Sequence, residues 1–303
     1  MYAIETVGLT RRFRRVEAVR ELNLRVEEGA VYALMGPNGA GKTTLIKLLM
    51  NLISPTAGRA MMLGGNSESL QGRRLETIGY VSENQKLPDW MSVGSFLDYC
   101  RPFYPTWDSG LEQRLVKRFD LPRQQKLKSL SRGVRMKAAL TSVLAFRPRL
   151  IVLDEPLSGL DPLVRDDLME SLVALAAETT VLFSSHDLAE IDSFAGHVGY
   201  MDGGQLLLSE PIEAIHRRFR RVEATGVGSL TQPASLPPEW LQFTVAGATA
   251  RWVESNYDPE RSTARAHEIL GQVELQTLPM TLRDVFLTMA RVTRPVDRNG
   301  GAL

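Results

Sequence analysis

The 303-residue chain predicts an α/β fold: a mainly parallel sheet flanked by helices, an antiparallel β edge, an inserted helical subdomain and a small C-terminal α+β appendage. Three observations carry that reading. The apolar runs "VYALMG" (31–36), "IGYVS" (78–82), "LIVLD" (150–154) and "TVLFSS" (180–185) are short and separated by helical patterns, as buried parallel strands are. The first 30 residues instead alternate polar with apolar, and "AIETVGL" and "LNLRVEE" fit strands of an antiparallel edge. Residues 85–147 turn to helical periods, as in "LEQRLVKRF" and "SRGVRMKAALTSVLAF", which marks the inserted subdomain.

The remaining elements follow in order. "KTTLIKLLMNL" continues the first buried strand as a helix across a Gly-rich turn. "PLVRDDLMESLVALAAE" is a helix with Asp161 as its N-cap and Pro162 at its first position. "MDGGQLLL" (201–208) reads as a hairpin, and the basic "HRRFRR" leads to a Pro- and Ser-containing linker near 228–238. The main domain is therefore expected over 1–215 and the accessory α+β domain over 222–291. The latter holds strands "LQFTV", "ARWVES" and "QVELQ" and two helices. Its last helix has Thr281 as N-cap and Leu282, Val285, Phe286 and Met289 on one face. Residues 292–303 are expected to be a disordered tail.

Composition narrows the function classes. A net charge of +1 supplies no global field toward nucleic acid or anionic lipid. The single cysteine, Cys100, excludes an intrachain disulfide framework or a multi-cysteine metal site and fits a reduced cytoplasmic setting. The start has no apolar core of signal-peptide length. No run reaches the roughly 18–20 apolar residues that cross a bilayer. Membrane work would need another chain.

"GPNGAGKTT" (36–44) matches G-x-x-x-x-G-K-S/T through Gly36, Gly41, Lys42 and Thr43, between a strand and a helix. The loop Gly36, Pro37, Asn38, Gly39, Ala40, Gly41 can curl its backbone N–H groups around a polyphosphate at a helix N-terminus. Lys42 would reach the β/γ-phosphates, the Thr43 hydroxyl would ligate Mg²⁺, and Thr44 extends the same turn. "LIVLDEPLSGLDP" sets Asp154 and Glu155 at the C-terminal end of a buried strand, where open α/β sheets bind ligands. Neighbours on a strand point opposite ways, so their jobs differ. Asp154 suits a Mg²⁺ ligand, and Glu155 suits the base that orients and deprotonates the attacking water.

Over about residues 1–215 these motifs together resemble the ATP-binding subunit of an ABC (ATP-binding cassette) transporter, a P-loop NTPase with the ABC-type core. The resemblance implies ATP and Mg²⁺ as cofactors and a sandwich dimer. Each site would join the phosphate loop of one copy to the signature helix of a second copy or of a paralogous cassette. It implies that His186 in "FSSHD" is the switch histidine at the γ-phosphate, that Phe13 in "LTRRFRR" stacks on adenine, and that Asp161 in "SGLD" crosses between sites. Signature residues Ser131 and Gly133 would meet the partner's nucleotide, Ser131 also capping its helix. Two departures stand out. Glu83 occupies the place of the family's Mg²⁺-touching glutamine, with Gln85 two residues on as the alternative. The signature reads Leu130, Ser131, Arg132, Gly133, Val134 rather than Leu-Ser-Gly-Gly-Gln, like the variants of single-domain exporter subunits.

The function implied is an ATPase that powers a separate integral-membrane permease, for export rather than import. It would sit peripherally on the inner face of the cell membrane through that permease, with no nucleic-acid partner. The competing reading is a soluble ABC-type ATPase acting in macromolecular assembly. The aromatics of "KLPDWMSVGSFLDYCRPFYPTWD" are expected mostly in the core of the helical subdomain, with any exposed remainder forming a groove for the permease.

Overall fold

The computed structural model describes residues 1–83, 85–176, 179–187, 191–192 and 194–293. They form two compact units that divide between Ser209 and Glu210.

In the first unit, β1 (Tyr2–Phe13) pairs antiparallel with β2 (Val16–Leu22) and with β3 (Arg25–Glu27). Of the expected strand "LNLRVEE", only Arg25–Glu27 forms an element of its own, and the preceding "VEAVREL" forms the separate strand β2. Next come β4 (Val31–Met35), α1 (Lys42–Leu49), β5 (Ala57–Met62) and β6 (Gly65–Asn66). The last two complete the antiparallel sheet in the order β2-β1-β5-β6. Sequence reading missed them because Ala, Gly and Met give weak strand alternation.

The chain then runs through β7 (Ile78–Val81), α2 (Val93–Cys100), α3 (Ser109–Arg118), α4 (Arg132–Leu144) and β8 (Leu150–Leu153). After it come α5 (Pro162–Ala176), β9 (Thr180–Ser185), β10 (His197–Asp202) and β11 (Gln205–Pro211). The second sheet has the order β11-β10-β4-β9-β8-β7. Its strands from β10 to β7 are parallel neighbours, so the ends of β4, β8 and β9 open on one edge. One apolar core joins the two sheets through Ile4, Leu22, Leu34, Leu45, Val152 and Leu182, all almost fully inaccessible. Burial of that kind contributes about 25 cal/mol per Å² of apolar surface, so this core sets the position of the loops above it.

Helices α2 to α4 lie between β7 and β8, and each begins on a side-chain cap. Ser92 accepts from Ser95 N–H, Asp108 from Leu111 N–H and Ser131 from Val134 N–H. The aromatics here depart from expectation. Phe96 is buried and Tyr104 stacks on Phe146 at 3.9 Å, but Trp90, Tyr99 and Phe103 are exposed. Their places inside are taken by aliphatic residues such as Leu97, Leu111, Leu115 and Leu127.

The second unit contains α6 (Ile212–Arg218), β12 (Arg220–Gly226), β13 (Trp240–Ala246), β14 (Thr249–Glu254), α7 (Pro259–Leu270), β15 (Val273–Pro279) and α8 (Leu282–Thr293). Its sheet has the order β13-β14-β12-β15. The boundary therefore falls earlier than the expected 215–222, because the basic stretch is α6 running into an interior strand. β12 pairs with β14 on one side and β15 on the other, and Val222 and Ala224 face the core. Thr281 caps α8 by accepting from Asp284 N–H. That helix continues through residues 292–293, which were expected in the tail, and residues 294–303 lie outside the described residues.

Candidate functional site

Three strand ends build one site in the first unit. β4 ends in the loop 36–41 and α1 begins there without a side-chain cap, on Gly41 at φ 107. The first N–H groups of α1 are thus left to whatever the loop encloses. A Cβ on Gly41 would meet the carbonyl oxygen of Ala18 at 2.2 Å, and one on Gly36 would meet that of Met201 at the same distance. Both glycines are required by close backbone approach.

The loop and helix start enclose a cavity of about 370 Å³, lined by residues 37–44 together with Ala18, Glu83, Glu155, Ser158 and His186. Lys42, only 5% exposed, donates from Nζ to the Gly36 carbonyl at 2.7 Å and pairs with Glu155 Oε1 at 3.1 Å. Glu155 Oε2 lies 2.8 Å from His186 Nδ1. An ionised carboxylate only accepts, so that ring nitrogen carries the proton. Behind the lining, Asp154 is 2% exposed. The hydroxyls of Thr43 and Ser184 both donate to its Oδ1, at 3.1 and 2.8 Å. Burial, and then the Asp154 carboxylate, push the nearby Tyr80 hydroxyl above its ordinary pKa, with a hydrogen bond to Ser82 opposing them.

Backbone geometry sharpens the picture. Glu155 sits at φ 48, in the left-handed region, which costs a non-glycine residue on the order of 1 kcal/mol. Its N–H donates to Ser184 Oγ at 2.9 Å. Strain of this kind persists only where surrounding contacts hold it.

Lys42, Thr43, Thr44, Asp154, Glu155, His186 and Glu83 are thus gathered at one place, with Pro37, Asn38, Gly39 and Ala40 around them. Phe13, Ser131, Gly133 and Asp161 do not line this cavity. Phe13 is 42% exposed, with the Arg11 guanidinium over its ring at 4.5 Å. Ser131 caps α4, Gly133 faces Leu160 and Val164, and Asp161 caps α5 by accepting from Val164 N–H at 3.1 Å. Arg132 spans two loops of its own chain. It lies 4.0 Å from Glu83, and a Cβ on Gly159 would stand 2.8 Å from its guanidinium. Gln85 instead accepts at Oε1 from the Ser82 hydroxyl at 3.1 Å. Sequence reading missed Ala18 and Ser184. The one signal for Ser184 was a hydroxyl inside an otherwise apolar strand.

Comparison with known proteins gives a family. Residues 19–158 match the model described as ABC transporter. An uncharacterised ABC transporter ATP-binding protein of Synechocystis sp. is 31% identical over 65% of this chain, which spans 57% of that relative's length. The bacitracin transport ATP-binding protein BcrA of Enterococcus faecalis is 32% identical, over 73% of each chain. Among solved structures, a dimeric ATP-binding cassette in a post-hydrolysis state with ADP and phosphate has a TM-score of 0.62 at 23% identity. That match covers 69% of this chain and 98% of the other.

Proposed function

The chain belongs to the ABC transporter ATP-binding family of ATPases, and from that premise we propose that it binds and hydrolyses ATP to power a separate integral-membrane permease, in the direction of export. The observation that carries the reading is the connected run from Lys42 through Glu155 to His186 at the mouth of the loop, with Thr43 and Asp154 joined beside it.

The roles follow from the geometry. The N–H groups of the loop and of the start of α1 receive the phosphates, and Lys42 neutralises their charge. Glu155 accepts the proton of the attacking water, and His186 holds the carboxylate's other oxygen so that the group does not rotate. Mg²⁺ fits the donors present. It takes few protein oxygens and completes its shell with phosphates and water, and here a hydroxyl and a carboxylate lie side by side. Among the described residues no group of three or more His, Cys, Asp or Glu could hold a metal ion alone. When bound, the ion supplies charge neutralisation at the transferring phosphate. Glu83 lines the same cavity and would meet that ion's shell.

Ser131 and Gly133 stand outside the cavity, which supports a second copy, or a paralogous cassette, supplying them across a dimer. Among the described residues no helix is long and apolar enough to cross a membrane, and the permease would tether the chain to the inner face. The glutamine variant of the base tests the reading. Glu155→Gln should sediment as a dimer with ATP and as a smaller species without it. A variant whose mass ignores ATP contradicts the sandwich.

A further inference from the structure

Strand β9 ends in Ser184 and Ser185, with His186 just beyond it, and two of these three residues act on the carboxylate pair. His186 touches Glu155 from the cavity side, at 2.8 Å. Ser184 is wholly inaccessible, in register with Leu34 of β4 and one residue beyond the Leu153–Phe183 pair with β8. Its hydroxyl has one proton and gives it to Asp154 Oδ1 at 2.8 Å. Its oxygen accepts the Glu155 N–H at 2.9 Å. Thr43 donates to the same Asp154 oxygen at 3.1 Å, so the hydroxyl donors converge on Oδ1.

We propose that Ser184 is the positioning residue of this site. It engages Asp154 Oδ1 and so sets the orientation in which the carboxylate would hold a divalent cation, and it fixes the left-handed backbone that aims Glu155 into the cavity. The inference rests on the proposed ATPase reading and assigns Ser184 no contact with nucleotide. A buried hydroxyl that accepts from one member of a carboxylate pair and donates to the other sets their spacing as a unit. A methyl in its place would leave the Glu155 N–H and Asp154 Oδ1 each short of a partner.

Ser184→Ala tests this with two measurements on the full chain. One is the affinity for a non-hydrolysable ATP analogue, titrated in Mg²⁺ and again in EDTA; the other is kcat for phosphate release. The affinity in EDTA should match the unaltered chain, the gain produced by Mg²⁺ should shrink about tenfold, and kcat should fall about tenfold or more. An unchanged Mg²⁺ gain, or a kcat within about twofold, overturns the proposal in a variant that melts like the unaltered chain. Ser184→Cys, close in size and a far weaker donor, gives the same reading should the alanine variant melt early. If the unaltered chain binds the analogue yet releases no phosphate, the ATPase reading fails instead. The Mg²⁺ gain then still judges Ser184.

Discussion

Glu112 in the first unit and Glu254 in the second are almost equally inaccessible, at 1% and 2%, yet their surroundings drive them in opposite directions. Burial raises the carboxyl of Glu112, but hydrogen bonds from Arg101, Arg123 and Trp107, at 2.8, 2.8 and 3.0 Å, outweigh it and hold the group below its ordinary value. Burial also raises Glu254, and there the hydrogen bond from Trp252 Nε1, at 3.3 Å, offsets it only in part. The rings of Trp240 and Trp252 stack at 4.3 Å beside it, an environment rich in apolar surface and poor in charge. The first unit buries charge wherever it can satisfy it, at Glu112 as at the Lys42–Glu155 pair. The second keeps one acid whose charged form burial disfavours.

The largest expected effect breaks the first unit's pattern at its functional end. Glu155→Gln keeps the shape and removes the charge that faces Lys42 and His186, and phosphate release should fall at least about a hundredfold. Lys42→Ala removes the cation instead, leaving Glu155 beside His186 alone. ATP affinity in a titration should drop at least about tenfold, and unchanged binding would remove Lys42 from the phosphate site.

Stability measurements sharpen the contrast. Glu112→Gln turns one carboxylate oxygen into an NH2 donor and removes the charge that faces Arg101 and Arg123, and should destabilise the first unit by about 2 kcal/mol in denaturant unfolding. The Glu112 contribution is present above the ordinary carboxylate pKa and is lost as pH falls through its depressed value. Glu254→Gln carries the smallest effect and the opposite sign, a gain of about 1 kcal/mol for the second unit at neutral pH. A raised acid contributes stability below its ordinary pKa and loses it as pH rises through the raised value, so the gain should vanish in mild acid. A gain that persisted there would place its origin in packing.

How legible each region was follows from the same physics. The residues of 36–44 and 154–155 sit in continuous segments whose neighbours dictate their conformation, so the order of types along the chain reveals them. His186 needed its place after a buried strand and the resemblance together, since a lone histidine carries no spacing. Ser184 acts across the sheet on residues far away in sequence, and nothing local distinguishes it from a tolerated serine. In the second unit, the basic stretch at 217–221 was expected only to lead toward a linker near 228–238, and it holds the end of a helix and the start of an interior strand. Ile215, Phe219, Val222 and Ala224 are the residues there that turn inward most fully. Trp90, Tyr99 and Phe103 misled in the other direction: aromatic content suggested core, and the chain leaves all three exposed.

The central claim is that Glu155, held by Lys42 and His186, is the base of an ATPase. Phosphate release from Mg²⁺–ATP by the purified chain, run beside Glu155→Gln at equal concentration, tests it most directly. The account predicts steady release from the unaltered chain and a rate at least about a hundredfold lower from the variant. Equal rates from the two proteins would contradict it.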